Sequence, residues 1–308
     1  MQYLCHSYLP AGTAENIIRK INFNQITHVN FAFSTVEKDE NGDFLPTVSE
    51  TVRNGIALTK EIIASQGAKV RTILSIGGAG AGNFCEGCST EQARKKFAAR
   101  CAELIDSLGI DGVDLDWEFP GRAHLGVSCC EHCGTDYIEL CREIRKAIGS
   151  HLLTAAVGSD LWGDLDYSLL NGVFDFVNVM TYDMTDCDHS SFALTVKNMN
   201  DWAKLIDKSK LILGVPFYAR SKTEKYNWVG YDYLTELVSQ GKASLERGED
   251  QDYIIIDGAR LGIDTPESIV KKARWVKENG FGGIFNWQEG SDYNGSLRNA
   301  MWNGMFGE

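Results

Sequence analysis

Positive charge is scarce in this sequence, and long apolar runs are missing. Its 30 Lys and Arg stand against 42 Asp and Glu, a formal net charge of −12, and no basic block stands out. This argues against nucleic acid as a partner, because binding to phosphate groups needs clustered cations. No segment reaches the roughly 18 consecutive apolar residues of a membrane span. We therefore expect no nucleic acid and no membrane partner, whereas an uncharged substrate is compatible with the composition.

Linkers and targeting signals are missing as well. The sequence has no stretch rich in Pro, Gly and Ser and no low-complexity tract, so residues 1–308 are predicted to form a single domain. Its beginning, MQYLCHSYLPAG, has neither the basic region nor the apolar core of a secretory signal. Two compartments stay open: cytoplasmic, as the chain is given, or secreted with the leader missing from it.

Short apolar, β-branched or aromatic runs alternate with longer amphipathic segments along the whole chain. Eight of these runs are predicted strands: YLCHSYL, THVNFAF, KVRTILSIGG, IDGVDLDWEF, LLTAAVG, FDFVNVMTYD, KLILGVPFY and FGGIFNW. Strict alternation of strands and helices indicates a parallel sheet, and eight units in 308 residues favour one closed α/β (β/α)8 TIM barrel. An open doubly wound sheet is the alternative, but the glycine-rich fingerprint that it often carries is missing.

Local signals complete the predicted secondary structure. Thr90 is a predicted N-cap, and Thr135 or Asp136 is predicted to cap the next helix. The late helix TPESIVKKARWVKENG has proline in its first turn and glycine just past its end. The glycines of GGAGAG (77–82) lack the GK[ST] ending of a phosphate-binding loop, so this segment is predicted to be a loop at the barrel rim.

The stretch GIDGVDLDWEFPG places four acidic residues in an otherwise apolar run. Side chains alternate along a strand, so Asp114, Asp116 and Glu118 share one face and point into the barrel. Asp111 falls on the opposite parity near the strand start, where a structural role is expected. Val113, Leu115 and Trp117 form the other face and are expected to pack on the surrounding helices.

Three carboxylates on one strand face cannot all ionise without mutual cost, so their pKa values must separate. Glu118, nearest the C-terminal end of the strand, is the natural candidate for a raised pKa and for work as a general acid. Active sites of such barrels lie at this end of the strands. The residues alone thus predict an acid–base site built on adjacent carboxylates, most simply that of a glycosidase.

Five motifs of the sequence resemble those of one known enzyme family. DGVDLDWE resembles the DxxDxDxE signature of glycoside hydrolase family 18, which contains chitinases and related endo-β-N-acetylglucosaminidases. Four further motifs resemble family segments in the same order: SIGG (75–78), MTYD (180–183), GVPFYAR (214–220) and GGIFNW (282–287). The resemblance implies a chitinase acting on β-1,4-linked N-acetylglucosamine polymers such as chitin or chitooligosaccharides, without a required cofactor and as a monomer.

The resemblance also implies a role for each residue of the strand. Family 18 enzymes use the N-acetyl group of the substrate as the nucleophile, with retention of configuration. Glu118 would donate a proton to the glycosidic oxygen and then activate water. Asp116 would support the acetamido group as it closes to an oxazolinium-like intermediate, and Asp114 would lie beneath Asp116 and tune it.

Further residues at strand ends are expected to line the cleft. Tyr182 would hydrogen-bond the acetamido carbonyl, Asp183 would bind the same sugar, and Trp287 would form an apolar floor beneath it. Met180 borders this pocket and is expected to pack rather than react. Residues that are candidates either for the cleft wall or for plain packing are Tyr8, Phe33, Tyr218 and Arg220, and the candidates for outer sugar platforms are Trp162 and Trp228.

Two departures from the family pattern change the expected cleft. Many members have tryptophan after SxGG, where this chain has Ala79, so a stacking surface there is lost. Many also insert a sizeable α+β subdomain between strands seven and eight, but only residues 219–279 separate them here. We predict no such subdomain, and hence a shallow, open-ended cleft that favours cleavage within the polymer.

Other activities are weighed against this prediction. An endo-β-N-acetylglucosaminidase acting on N-glycans or peptidoglycan would use the same chemistry, although tryptophan before the acid and FPG after it look more like chitinases. An inactive chitin-binding lectin would typically lack the acid, and Glu118 is present. A metal-dependent barrel hydrolase would need histidines at strand ends, and none of the six pairs at a ligand spacing with the carboxylates.

Nine cysteines are many for a cytosolic enzyme, and five of them cluster in CEGC (85–88) and CCEHC (129–133). Two CxxC pairs resemble a structural zinc site, formed by Cys85, Cys88, Cys130 and Cys133. Disulfides and free thiols are the alternatives. Because the two segments follow strands three and four, they are expected to lie side by side at the rim and to pin one wall of the cleft.

Overall fold

A computed structural model describes residues 3–127, 129–161 and 165–307 of the chain. Within these residues the strands are, in chain order, β1 (Leu4–Pro10), β2 (His28–Lys38), β3 (Phe44–Thr47), β4 (Arg71–Gly77), β5 (Gly112–Asp116), β6 (Leu152–Gly158), β7 (Phe176–Met180), β8 (Leu211–Pro216), β9 (Tyr218–Ala219), β10 (Val229–Gly230), β11 (Ser244–Glu246), β12 (Asp252–Ile256), β13 (Ala259–Ile263) and β14 (Gly283–Trp287). The α-helices are α1 (Glu15–Ile18), α2 (Glu50–Ser65), α3 (Phe84–Cys88), α4 (Glu91–Leu108), α5 (Cys133–Ile148), α6 (Phe192–Trp202), α7 (Tyr231–Ser239), α8 (Pro266–Asn279) and α9 (Ser296–Phe306).

Eight parallel strands close into a barrel. Their order is β1-β2-β4-β5-β6-β7-β8-β14, and β14 returns to pair with β1, so none of the eight has a free edge. Each corresponds to one of the eight predicted runs, and the predicted TIM barrel is confirmed. The remaining partner of this sheet, β3, folds back antiparallel onto β2.

The outward side chains of β5 pack as the alternation of residues along the strand predicts. Val113 and Leu115 are fully buried, and Trp117 is 3% exposed. The Trp117 indole stacks on Phe84 of α3 with ring centroids 5.0 Å apart and meets Tyr137 of α5 edge-on. This apolar contact seats α3 and α5 beside the strand that carries the carboxylates.

Asp111 lies at the opposite end of the barrel, just before β5 begins. Its carboxylate accepts hydrogen bonds from the Thr72 amide at 2.8 Å and from the Arg71 guanidinium at 2.5 Å. These contacts tie the start of β5 to the start of β4. The structural role expected for Asp111 therefore holds.

Thr90 caps α4 as predicted, and α8 has the predicted proline in its first turn and Gly280 just past its end. The Thr90 hydroxyl accepts from the Ala93 amide and begins α4, and Thr265 caps α8 with Pro266 in its first turn. The prediction for α5 was wrong: the helix begins at Cys133, after His132, rather than after Thr135 or Asp136. The Asp136 carboxylate instead binds Arg94 of α4 at 3.0 Å, so it is not free to cap a backbone amide.

The segment between β8 and β14 holds no large subdomain, as predicted. It contains the predicted helices α7 and α8 and a small antiparallel sheet, β11-β12-β13, over residues 244–263, which the sequence pattern did not predict. A fully buried ion pair between Lys272 of α8 and Asp264, at 2.7 Å, fixes this sheet to the helix that follows it. The sheet is therefore a short extension of the barrel wall.

The helices pack around the outside of the barrel through one apolar face each. In α5, for example, Tyr137, Leu140, Cys141 and Ile144 are buried, whereas the charged residues between them reach solvent. This is the pattern of an amphipathic surface helix. None of the helices in the described ranges is both long and apolar enough to cross a bilayer.

Candidate active site

Asp114 lies inside the barrel and is fully buried. Its carboxylate accepts hydrogen bonds from three hydroxyl groups on three different strands: Tyr8 at 2.9 Å, Ser75 at 2.7 Å and Thr154 at 2.5 Å. Burial raises the pKa of Asp114, and these donors act in the opposite direction because they stabilise the carboxylate. Asp114 is thus a buried acidic group held in place from all sides.

Asp116 and Glu118 follow Asp114 toward the C-terminal end of the barrel, close enough for the charge of each to affect the other. Asp116 is 3% exposed. Burial, followed by the charges of Glu118 and Asp114, raises the pKa of Asp116 well above its ordinary value. Two close carboxyl groups in a poorly hydrated site favour holding one proton between them. The raised pKa of Asp116 is therefore a consequence of its burial beside two other acidic groups.

Glu118 lies beyond the end of β5, so strand geometry does not fix the direction of its side chain. The strand β5 ends at Asp116, so Glu118 lies in the loop two residues further on, partly accessible at the C-terminal end of the barrel. Burial, and then the negative charge of Asp183, raises the pKa of Glu118 to about 7. A carboxylic acid that keeps its proton near neutral pH and reaches a cleft is suited to general-acid catalysis.

Asp183 is ionised at the side of this pair. It has a positive φ of 55° and accepts hydrogen bonds from the Tyr218 hydroxyl at 2.7 Å and the Arg220 guanidinium at 2.8 Å. The ring of His189 lies 3.3 Å away. Although burial acts to raise it, hydrogen bonds from His189 and Arg220 lower the pKa of Asp183 to about 2. The site thus combines two carboxyl groups of raised pKa, Asp116 and Glu118, with Asp183, which stays ionised.

Aromatic rings form the other wall of the same pocket. Trp287 is half-buried at the end of β14, stacked on Phe33 with centroids 5.3 Å apart and packed edge-on against Tyr8. Tyr182 is 9% exposed and packs against Tyr218 at the pocket floor. A flat apolar surface facing hydrogen-bonding groups is the environment that a sugar ring requires, with one apolar face and a polar rim.

The remaining predicted residues fall beside this pocket or outside the described chain. Met180 ends β7 and packs, partly buried, in the cluster that contains Tyr182 and Trp287. Trp228 is 46% exposed and stacks on Tyr218 with centroids 5.3 Å apart, which suits an outer platform. Trp162 lies outside the described residues. Of the predicted residues that the structure describes, Tyr8, Phe33, Met180, Tyr182, Tyr218 and Trp287 pack in one cluster.

Three polar residues of the site were missed by the sequence reading. Asn178 donates to the Tyr8 hydroxyl at 2.9 Å, and Thr154 donates to Asp114. Both are polar residues at inward positions of apolar strands, the same signal that identified Asp114, so they could have been found. His189 comes from a loop after β7 and meets Asp183 only through the fold, so no local pattern pointed to it.

One group of cysteines lies within metal-binding distance in the described part of the chain. The sulfur atoms of Cys85, Cys130 and Cys133 all lie within 4.8 Å of one another. Cys88, the fourth member of the predicted zinc set, is buried, and its thiol donates to the Cys85 carbonyl rather than joining the group. No disulfide links any of the nine cysteines.

Comparison with known proteins shows to which family the chain belongs. The model of glycosyl hydrolases family 18 matches residues 7–292. Chitinase 1 of Aphanocladium album is 26% identical over 89% of this chain and 77% of its own length. Chitotriosidase-1 of Mus musculus is 28% identical over 91% of this chain and 70% of its own length.

Solved structures share the fold over the whole chain. A class V chitinase from Nicotiana tobaccum superposes with a TM-score of 0.86 at 21% identity, and 99% of each chain is covered. A family 18 N-acetylglucosaminidase from Paenibacillus barengoltzii gives a TM-score of 0.81 at 23% identity, covering 98% of this chain and 100% of that one. Because the family model spans nearly the entire barrel, this chain belongs to glycosyl hydrolase family 18 and is a glycosidase.

Proposed function

We propose that this glycosidase is a chitinase that cleaves β-1,4-linked N-acetylglucosamine polymers within the chain. The observation that carries the proposal is the buried Asp114 carboxylate, held by the Tyr8, Ser75 and Thr154 hydroxyls, below Asp116 and Glu118 at the C-terminal end of β5. The curated relatives named above are a chitinase and a chitotriosidase, which supports the same substrate class. A related solved structure, the class V chitinase mutant from Nicotiana tobaccum, holds NAG4, an oligosaccharide of this chemistry.

In the proposed mechanism Glu118 protonates the glycosidic oxygen, and the acetamido carbonyl of the substrate attacks the anomeric carbon. The glycosidic bond breaks with retention through an oxazolinium ion, and Glu118 then takes a proton from the water that opens it. Asp116, which lies close to Glu118, supports the positively charged acetamido nitrogen. The buried Asp114 supplies negative charge beneath this pair and stabilises the same intermediate.

Tyr182 and Asp183 orient the reacting sugar in this mechanism. The Tyr182 hydroxyl donates to the acetamido carbonyl, and Asp183 accepts from a sugar hydroxyl. Trp287 supplies the apolar surface beneath the ring. Precise placement of the acetamido group matters because an intramolecular nucleophile gains its advantage from orientation.

Cleavage within the polymer is favoured by the shape of the cleft. Ala79 is exposed at the rim, and the insertion between β8 and β14 is only a short three-stranded sheet. Neither feature closes an end of the cleft. The second candidate is release of single N-acetylglucosamine units, because the neighbour described as an N-acetylglucosaminidase is covered over its full length.

The deciding experiment compares the wild type with Glu118→Gln on chitooligosaccharides, a peptidoglycan fragment and an N-glycopeptide. We expect hydrolysis of the chitooligosaccharides by the wild type and a loss of at least about 100-fold in the variant, because the proton donor is removed. Glu103→Gln, an exposed glutamate of α4, is the matched control and should retain full activity.

Product sizes over time distinguish the modes of cleavage. Early mixtures of several oligomers from a long chitooligosaccharide support internal cleavage, whereas only monosaccharide or only disaccharide from the start contradicts it. Faster hydrolysis of the peptidoglycan fragment or the glycopeptide would move the substrate assignment to those polymers. Binding of chitooligosaccharides without any hydrolysis would identify a lectin.

A further inference from the structure

Three cysteine sulfurs converge at the rim of the barrel, outside the catalytic pocket. Cys85 lies in α3, which follows β4, and Cys130 and Cys133 lie at the end of the loop that follows β5. The Cys85 and Cys133 sulfurs are 2.7 Å apart, and all three lie within 4.8 Å of one another. Cys85 and Cys133 are 48 positions apart in sequence, so the fold brings the group together.

We propose that Cys85, Cys130 and Cys133 bind one zinc ion as thiolates. Zinc in structural sites is held tetrahedrally by thiolates at about 2.3 Å, which puts neighbouring sulfurs about 3.8 Å apart. The observed group is within about 1 Å of that spacing, and side-chain rotation is enough to reach it. A disulfide would use only two of the three sulfurs, whereas a cation uses all of them.

Two backbone features beside Cys133 suit a sulfur that carries negative charge when a metal is bound. Cys133 is the first residue of α5, a helix of 16 residues, where the positive end of the helix dipole stabilises negative charge. The Cys130 amide also donates to the Cys133 sulfur at 2.8 Å. A bound zinc ion would neutralise the negative charge of the gathered thiolates.

The three sulfurs leave one position of the tetrahedron open. The Cys129 thiol donates to the Cys130 carbonyl at 3.3 Å and is partly accessible, so a water molecule, or Cys129 after rotation of its side chain, completes the tetrahedron. Cys88 is fully buried, and its thiol points to the Cys85 carbonyl. The site is therefore not the symmetric double CxxC site of the sequence motif but an asymmetric one.

The position of the ion gives it a structural task. The loop from Trp117 to His132 begins with the general acid and ends at the cysteine group. A zinc ion joins the end of this loop to α3, which follows the neighbouring strand. The loop beside Glu118 is thereby fixed by β5 at its start and by the zinc ion at its end.

Metal content and cobalt spectroscopy test the site without using activity. The full-length protein, purified under reducing conditions without chelator, is expected to contain equimolar zinc. Cobalt(II) in place of zinc is expected to give thiolate-to-metal charge-transfer bands and the strong visible bands of a tetrahedral ion. Cys130→Ser, at an exposed position, is expected to lower the affinity for Zn²⁺ at least roughly tenfold and to weaken the charge-transfer band.

Two further variants keep the test decisive. Cys88→Ala is expected to keep both zinc and the cobalt spectrum, and Cys187→Ser, remote from the group, is the control for general effects of cysteine replacement. Loss of zinc in Cys88→Ala with retention in Cys130→Ser would overturn the ligand set. The absence of zinc and of any cobalt charge transfer, or a wild-type mass lower by two hydrogens that reductant restores, would overturn the site itself.

Discussion

The Tyr8 hydroxyl donates a hydrogen bond to the Asp114 carboxylate across 2.9 Å, and Asn178 donates to the same hydroxyl at 2.9 Å. All three side chains are buried, so the chain of donors runs from β7 through β1 to β5 without water. Tyr8 therefore does more than line the cleft. It holds the carboxylate that supports the catalytic pair.

Replacing Tyr8 with phenylalanine should destabilise the protein by about 1–3 kcal/mol, because both Asp114 and Asn178 lose a buried partner. The free energy of unfolding in urea, measured against the wild type, checks this. Tyr233→Phe, an exposed tyrosine of α7, is the matched control and should change little. Equal stability of Tyr8→Phe and the control would show that the hydroxyl is not required for this network.

The activity should depend on a proton with an apparent pKa near that of Glu118. Because Glu118 must be protonated to act as an acid, kcat/KM is expected to fall as the pH rises through about 7. Asp183→Asn removes a negative charge that raises this pKa and leaves Arg220 uncompensated. The basic limb of the pH profile should therefore move to lower pH.

Profiles of kcat/KM between acidic and alkaline pH measure this shift directly. Asp257→Asn, an exposed aspartate bound to Lys225, serves as the control and should leave the limb in place. A basic limb that does not move in Asp183→Asn would mean that Asp183 does not set the pKa of Glu118. A change in KM alone would restrict Asp183 to sugar binding.

Glu118 should also reduce the stability of the folded protein at neutral and alkaline pH. A carboxyl group whose pKa is raised on folding contributes stability below its unfolded value of 4.5, and this contribution is lost as the pH rises through about 7. Glu118→Gln should thus be more stable than the wild type at pH about 8, by about 1–3 kcal/mol, and the gap should close toward pH about 4. Urea unfolding at both pH values tests this, and a gap independent of pH would contradict it.

A new stacking surface at Ala79 should strengthen binding of longer substrates. Ala79 is exposed at the cleft rim, directly after the SIGG segment, where many family members have tryptophan. Ala79→Trp should lower KM for long chitooligosaccharides about fivefold, because an aromatic contact with a sugar contributes about 1 kcal/mol. Ala79→Leu adds apolar bulk without a flat ring and should give a smaller effect. Equal KM values for both variants and the wild type would place Ala79 outside the cleft.

Much of the fold was readable from local patterns. Each of the eight barrel strands was predicted because strands buried on both faces of the wall are short apolar runs separated by amphipathic helices. Strand parity placed Asp114 and Asp116 inside and Val113 and Leu115 outside. The parity argument did not extend to Glu118, since the strand ends at Asp116 and the loop beyond it is shaped by contacts from other elements.

The errors of the sequence reading have two causes. The start of α5 was displaced because Asp136 binds Arg94, a residue of another helix, and local capping rules do not include such contacts. The small sheet over residues 244–263 was missed because its strands are short and partly exposed. The start of α5 thus involves a contact between two helices, whereas the small sheet pairs strands that are adjacent in sequence.

The sequence by itself determined the closed barrel, the inward placement of Asp114 and Asp116 and the family, because these depend on periodicity and on motifs within a few residues. Only the tertiary structure decided which groups meet across the barrel. It brought His189 to Asp183, Tyr8 to Asp114, and Cys85 to Cys133 while leaving Cys88 aside. These side-chain contacts influence the charge of the carboxyl groups in the site and determine which cysteines can bind the proposed metal. They depend on distances between strands and loops that no local pattern encodes.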